Sequence, residues 1–534
     1  MNHSGNFIRK KGINGLMLAI CLCILLAACT PSSTESNISS ENIESVASTD
    51  VSDISSDTSS IESTTGVSDT SSKDSTTTDN SSKNAATATN SSKPITTTSS
   101  NTKEETYTVK PLTAEQKKLV QSLGLCVSEY HGWESMSEAV IKQHFKDYMS
   151  MGVKTVRQGL WWSELQSKIS ESSWLTAQEA KNTPRIKYLQ YAKDVGMRVK
   201  GGLGTIGERP NWFVKAHPEA YMVDQYGNKS DHCKTISYWM EDATDYTAAA
   251  TEKAILLLKE LNLLDVIDLW GIDFGQAGEP HYPGSYGATG EAGVNVSGGV
   301  DSMWCYADNA QEDFRKEMKA KYSTIQAVNK AWGTNYSDFS KITVPKPNTV
   351  KGTQWRDVLT WYRDSKNRFV EKQIKAIKAV VDKHTGGKMQ LYVYISGSDL
   401  RDSEFEDAVD DGSAPDKVRM MFDSRFMIQM AAKYGCWIQY TGANDTNECA
   451  YLRNYMDQNG YSGIPIFAEN AGDDYPAKNP MGTVNNIISS RFYGFDFTHT
   501  RHMYESDYLT HTDVYDKFDA AMKKLLPYMK TLFD

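Results

Sequence analysis

The 534-residue chain carries 57 Lys and Arg against 67 Asp and Glu, a formal net charge of −10, and 10% of its residues are aromatic. That balance gives a nucleic-acid backbone no electrostatic footing, and many rings with few basic clusters suit a neutral ligand such as a sugar, whose C–H faces stack on aromatics. The eight cysteines include no Cys-x-x-Cys pair, which excludes a zinc site of that type.

Residues 1–29 read as a targeting segment. Arg9, Lys10 and Lys11 give a positive start, and Leu16 to Ala28 is an apolar run too short to span a bilayer comfortably. The run ends in Leu26-Ala-Ala-Cys29, which resembles the cleavage site of a bacterial lipoprotein signal. Cleavage there would leave Cys29 as a lipid-bearing N-terminus at the cell surface; stable anchoring needs more than one acyl chain. Residues 30–106 are a low-complexity stretch rich in Ser and Thr, with no aromatic between Phe7 and Tyr107. Such a segment buries too little apolar area to offset its ordering entropy and is expected to be a disordered tether. Its root-mean-square reach is about 50 Å if it behaves as a Gly/Ser-type coil.

Residues 107–534 alternate apolar strand-like runs with helical patterns. The expected strands are 123–130, 154–162, 198–203, 269–275, 389–396, 436–442, 465–470 and 492–500. Between them the apolar period changes to that of helices, over 138–151, 186–195, 248–261, 362–383, 425–434 and 485–490. Eight βα units in series, with continuous rather than alternating apolar strands, predict an α/β fold, a parallel (β/α)8 TIM barrel. No glycine-rich phosphate loop follows the first strand, which argues against a doubly wound sheet. A long excursion with its own helical pattern, 309–321, separates strands four and five. Five cysteines fall in this region (Cys126, Cys233, Cys305, Cys436 and Cys449), so at least one thiol is unpaired.

Two carboxylates stand out. Glu279 follows the fourth apolar run, Val266 to Phe274, within Gly275-Gln-Ala-Gly-Glu-Pro-His-Tyr-Pro-Gly-Ser-Tyr286. Glu469 follows Ile464-Pro-Ile-Phe-Ala468 on the seventh. Carboxylates leaving the C-terminal ends of two barrel strands are the arrangement that sugar-cleaving enzymes use for a proton donor and its partner. Around them, Arg157 either orients a carboxylate or forms an ion pair in the barrel floor. Trp161 and Trp162 offer rings to stack on a sugar, with one of the two expected in the core. His281 and Tyr282 either line the cleft or brace the loop, and Asn470 is a candidate to hold a hydroxyl. His499, Arg501 and His502 follow strand eight; a His-x-x-His metal pair there lacks an evident third ligand. No metal or cofactor is expected.

The stretch around Glu279 resembles glycoside hydrolase family 14, the β-amylases, which carry Gly-x-Ala-Gly-Glu-x-x-Tyr-Pro followed by Ser-Tyr and use that Glu as general acid. The likeness continues through Leu359-Thr-Trp-Tyr362 before a long helix, Ile395-Ser-Gly397, Phe467-Ala-Glu-Asn-Ala471 with Tyr475, and Gly494 to Arg501. It covers most of residues 123–534 at a distant level. A second resemblance, to the family 42 β-galactosidases, runs through Val156-Arg-Gln-Gly-Leu-Trp-Trp-Ser163, Pro210 to Glu219 with Asp224-Gln-Tyr-Gly227, and Phe314 to Thr334. It implies an acid/base on strand four and a carboxylate nucleophile on strand seven, although Gly278-Glu279 stands where those enzymes have Asn-Glu.

There are departures from family 14. Asn444 aligns with its general base, and Asn cannot take a proton from water; Asp445 and Glu448 are the nearby substitutes. Gly159 replaces the Asp that grips the terminal glucose, and the glycine-rich lid after strand three is shortened to Gly201–Gly207. Two mechanisms follow. One is inverting, with Glu279 as acid and Asp445 or Glu448 activating water; the other, favoured, is retaining, with Glu279 as acid/base and Glu469 as nucleophile. A surface sugar-binding protein that kept the barrel and lost the base is the non-enzymatic alternative.

Overall fold

Eight apolar runs become eight parallel strands because both faces of the sheet are largely covered, one by helices and one by the barrel interior. They are β1 (Leu125–Glu129), β2 (Thr155–Arg157, continued by Leu160–Trp161), β3 (Arg198–Gly204), β4 (Ile267–Gly271), β5 (Gln390–Ile395), β6 (Trp437–Thr441), β7 (Ile466–Glu469) and β8 (Gly494–His499). Each pairs in parallel with the next, and β8 pairs with β1, Leu125 opposite Phe495 through Glu129 opposite His499, so the sheet closes into a barrel. This computed structural model describes residues 107–129, 133–167, 173–230, 235–283, 302–397, 399–443, 445–469, 480–499 and 512–533. The chain divides into a unit over residues 1–96 and one over 97–534, and every described residue belongs to the second; residues 1–106, on which the expected leader, Cys29 and tether fall, lie outside the described residues.

Helix α1 (Ala114–Leu123) precedes β1. Thr113 caps it, its side chain accepting from the Gln116 N–H while the Gln116 side chain returns the bond to the Thr113 N–H, a reciprocal cap that contributes about 1 kcal/mol. Val120 and Leu123 of this helix form one apolar cluster with Leu269, Tyr392, Trp437 and Phe467 from β4 to β7, which closes the N-terminal end of the barrel. Helices α2 (Glu138–Ser150), α3 (Pro184–Val195), α4 (Ala243–Glu260), α5 (Asp308–Tyr322), α6 (Ile325–Trp332), α7 (Thr353–Thr385), α8 (Ser424–Tyr434), α9 (Thr446–Gln458), α10 (Pro480–Ser489) and α11 (Thr512–Thr531) follow. Sequence chemistry sets their ends: α3 starts on Pro184, whose missing N–H costs nothing at the first position, and stops at Gly196 in the left-handed region.

Two expectations needed correction. Strand β4 stops at Gly271 instead of reaching Gly275, because Asp273 turns away to accept backbone N–H groups and the Phe274 carbonyl accepts from the Tyr238 hydroxyl. The long helix of the excursion begins at Thr353, so Leu359 to Tyr362 lie inside α7 instead of ahead of it.

Candidate active site

The barrel interior is not wholly apolar. Six strands each place a polar side chain inward: Ser128, Arg157, Lys200, Gln439, Glu469 and Asp496. Arg157 Nη1 donates to Glu469 Oε2 at 2.5 Å and lies 3.6 Å from Asp496 Oδ2. Gln439 Nε2 donates to both carboxylates, at 3.1 and 3.2 Å. Lys200 Nζ lies 3.3 Å from Asp496 Oδ2 and also bonds Gln439 Oε1, and the Ser128 hydroxyl donates to Asp496 Oδ1. Two cations face two anions, each within bonding reach of another, which is the condition under which charges tolerate burial. Glu469, the last residue of β7, is thereby held as an acceptor of two donors on one oxygen.

Glu279 has a different setting. It lies eight residues beyond β4, after a turn in which Ala277 and Gly278 both have positive φ, 58° and 82°. A side chain at Gly278 would meet the Tyr394 ring at 2.9 Å, so only glycine fits there. Ala277 holds the left-handed region at a cost of about 1 kcal/mol. The turn aims Glu279 into a buried position, 4% exposed, where its Oε2 lies 3.1 Å from His281 Nε2. His281 Nδ1 is 2.7 Å from the Tyr282 carbonyl. A carbonyl only accepts, so Nδ1 carries a hydrogen. Two acceptors would otherwise face each other at Nε2 and Oε2, and one further proton must lie between them.

Asp273 joins the site as a residue the sequence reading overlooked. Its Oδ2 accepts from the backbone N–H groups of Thr205, Ile206 and Gly207 at 2.7, 2.7 and 3.1 Å, and Oδ1 from Gly275 at 3.3 Å. Burial pushes its carboxyl up to about 6, while the four backbone donors pull the other way. It ties the loop after β3 to the loop carrying Glu279. These loops wall a cavity of about 450 Å³ whose lining includes Arg157, Trp161, Arg185, Glu208, Asp273 and Tyr394. Neither Glu279 nor Glu469 is among the described lining residues; the cavity reaches Gly278, next to Glu279, and Arg157, which holds Glu469. Tyr394 stands at the junction, packed on Gly278 and 5.3 Å from the Arg157 guanidinium.

The two tryptophans separate. Trp161 is 37% exposed and lines the cavity, with the Arg185 guanidinium 3.2 Å from its ring centre. Trp162 is buried against Trp212 and Phe213, its indole N–H donating to Gln166, so it packs in the core and has no face for a ligand. Tyr282 is likewise fully buried, stacked 3.7 Å from Tyr362 with its hydroxyl on the Tyr362 carbonyl, and braces the loop instead of lining the cavity. Asp445 caps α9 through the N–H groups of Asn447 and Glu448, and Glu448 pairs with Arg401. Neither is gathered with Glu279. His499 ends β8 opposite Glu129; Asn444, Asn470, Arg501 and His502 lie outside the described residues. Among those described, no three His, Cys, Asp or Glu side chains are grouped to hold a metal, and Cys126, Cys305, Cys436 and Cys449 are buried free thiols.

Known proteins align with this arrangement from two directions. The family model described as β-galactosidase, glycoside hydrolase family 42, matches residues 294–394. The thermophilic β-amylase of Thermoanaerobacterium thermosulfurigenes is 27% identical over 238 residues, 41% of this chain and 41% of the relative. The β-galactosidase BgaA of a Thermus species is 26% identical over 281 residues, 50% of this chain and 36% of the relative. The chain thus spans less than half the length of either curated relative. Among solved structures, the catalytic domain of the Paenibacillus polymyxa β-amylase superposes with a TM-score of 0.59 at 16% identity, covering 76% of this chain and 99% of that one. The β-galactosidase of Bacillus circulans sp. alkalophilus gives 0.52 at 14%, covering 77% and 57%. The chain is a (β/α)8 barrel similar in sequence to both β-amylases and family 42 β-galactosidases.

Proposed function

We propose that the protein is a glycoside hydrolase that cleaves O-glycosidic bonds in oligo- or polysaccharides with retention of configuration, Glu279 serving as acid/base and Glu469 as nucleophile. The observation that supports this most is the contrast between the two buried carboxylates: Glu279 shares a proton with His281, whereas Glu469 accepts from Arg157 and Gln439. The first is equipped to give a proton and the second to act as an anion. A Glu469 oxygen attacks the anomeric carbon and the bond to the leaving group breaks, its oxygen taking the Glu279 proton. Water then attacks the same carbon and gives a proton to Glu279, and the ester bond breaks to restore Glu469. The carboxylates required for inversion are committed elsewhere, Asp445 to a helix cap and Glu448 to Arg401. Arg157 holds the nucleophile, and Trp161 offers a ring face to the sugar.

Glu279→Gln and Glu469→Gln, assayed on aryl β-galactosides and on malto-oligosaccharides, test this reading. Each is expected to lose activity by at least about 10²-fold, and full activity in both would overturn the site. Wild-type protein that binds glycans and cleaves none would favour the sugar-binding alternative.

The leader supports a second proposal, that Cys29 carries lipid and tethers the barrel outside the membrane. Cys29→Ser is expected to abolish incorporation of a labelled fatty acid and to release the protein into the medium; unchanged labelling would refute it.

A further inference from the structure

We infer that Lys200 is a positioning residue for the carboxylate of Glu469, acting through the amide of Gln439; this rests on the hydrolase reading above. Gln439 is fully buried in the middle of β6. Its amide has one acceptor and two donors, and its surroundings dictate which end faces which way. Oε1 meets the Lys200 ammonium, which only donates, and Nε2 meets Glu469 Oε2 and Asp496 Oδ2, which accept. Turned by 180°, the amide would set its oxygen against two carboxylates and its NH₂ against an ammonium, three mismatches in a dry interior. Without Lys200 the two carboxylates still draw the NH₂, but the buried Oε1 loses its donor and the amide is held at one end only, so the donor that Glu469 receives is no longer fixed in place.

Lys200 is itself immobilised. It is 1% exposed, and the Tyr392 and Phe467 ring centres each lie 5.0 Å from Nζ. Asp496, 3.3 Å away, balances its charge. The ammonium therefore never reaches a substrate; it fixes the rotamer of the residue that does fix Glu469. Arg157 holds the same carboxylate oxygen from the opposite strand, so Glu469 is gripped from two sides, one of them set indirectly. Arrangements of this kind keep a reacting group within the narrow tolerance that chemistry needs.

A double-mutant cycle with Lys200→Met and Gln439→Leu, read as kcat and KM on the glycoside that wild type cleaves, tests the inference, with Lys200→Gln as a third variant. Each single change is expected to lower kcat by about 10²-fold with KM unchanged, and the double variant to lose little more than Gln439→Leu alone, because the lysine has no contact with Glu469 itself and reaches it through the glutamine. Lys200→Gln, which keeps a donor toward Oε1, is expected to retain most of kcat. Losses that multiply in the double variant, or a Lys200→Gln loss equal to that of Lys200→Met, would overturn it. Should Lys200→Met fail to fold, full kcat in Gln439→Leu, or a severe loss in Lys200→Gln, would do the same. Glu469→Gln in parallel separates the two claims: if it stays active, the hydrolase site assignment falls; if it is inactive while the cycle is additive, only the Lys200 inference falls.

Discussion

Glu279 and Glu469 are the same side chain in opposite surroundings. Glu279 rides on a loop eight residues past its strand, behind a turn with two positive-φ residues, and its one described polar contact is a histidine. Glu469 is the final residue of its strand and is tied into a charged layer that crosses the barrel. A group that must gain and lose a proton is better served by a titratable neighbour; one that must remain an anion is better served by fixed donors. A strand end thus holds Glu469 among fixed donors from neighbouring strands, whereas a loop brings Glu279 against a single ring nitrogen.

Breaking the rigid side gives the largest effect. Arg157→Met leaves Glu469 and Asp496 short of a cation, and a loss of about 3–5 kcal/mol in folding stability is expected, together with kcat; denaturant unfolding reads the first. If stability were unchanged, the barrel layer would not be the frame described above. Asp273, the tie between the β3 and β4 loops, comes next. Its carboxyl is raised from 3.8 to about 6, so the folded protein holds that proton more tightly than the unfolded chain. Its contribution to stability is therefore complete below about pH 4 and is lost as pH rises to about 6, at most about 3 kcal/mol. Asp273→Asn, neutral throughout, is expected to remove that slope from a plot of unfolding midpoint against pH.

The loop side is probed by His281→Phe, which keeps an aromatic ring and removes the hydrogen-bond partner of Glu279. A fall of about 10- to 100-fold in kcat with little change in unfolding midpoint is expected; a change in KM alone would make His281 a binding residue. The smallest effect belongs to the turn. Ala277→Gly relieves a left-handed alanine and is expected to add up to about 1 kcal/mol of stability, measured by thermal unfolding.

Much of this was legible in the sequence. All eight strands fall within a few residues of their apolar runs, since continuous burial writes itself into composition, and Glu279 and Glu469 stood out as carboxylates after such runs. The charged layer was not recognised, yet its signal was present. Lys200, Gln439 and Asp496 each lie between apolar or glycine neighbours in a strand, and a polar residue there needs partners from the strands beside it. Asp273 was absorbed into the fourth run for the same reason, which carried that strand four residues too far. The separation of Trp161 from Trp162 rests on which face of the short second piece of β2 turns toward Arg185, and adjacency in sequence cannot decide it.

Trapping with a 2-deoxy-2-fluoro glycoside followed by peptide mass mapping asks whether Glu469 is the nucleophile proposed above. A single sugar adduct on the peptide containing Glu469, absent in Glu469→Gln, is the predicted result. An adduct on the peptide containing Asp445 and Glu448, or rapid hydrolysis of natural glycosides with inverted product and no adduct, would contradict it.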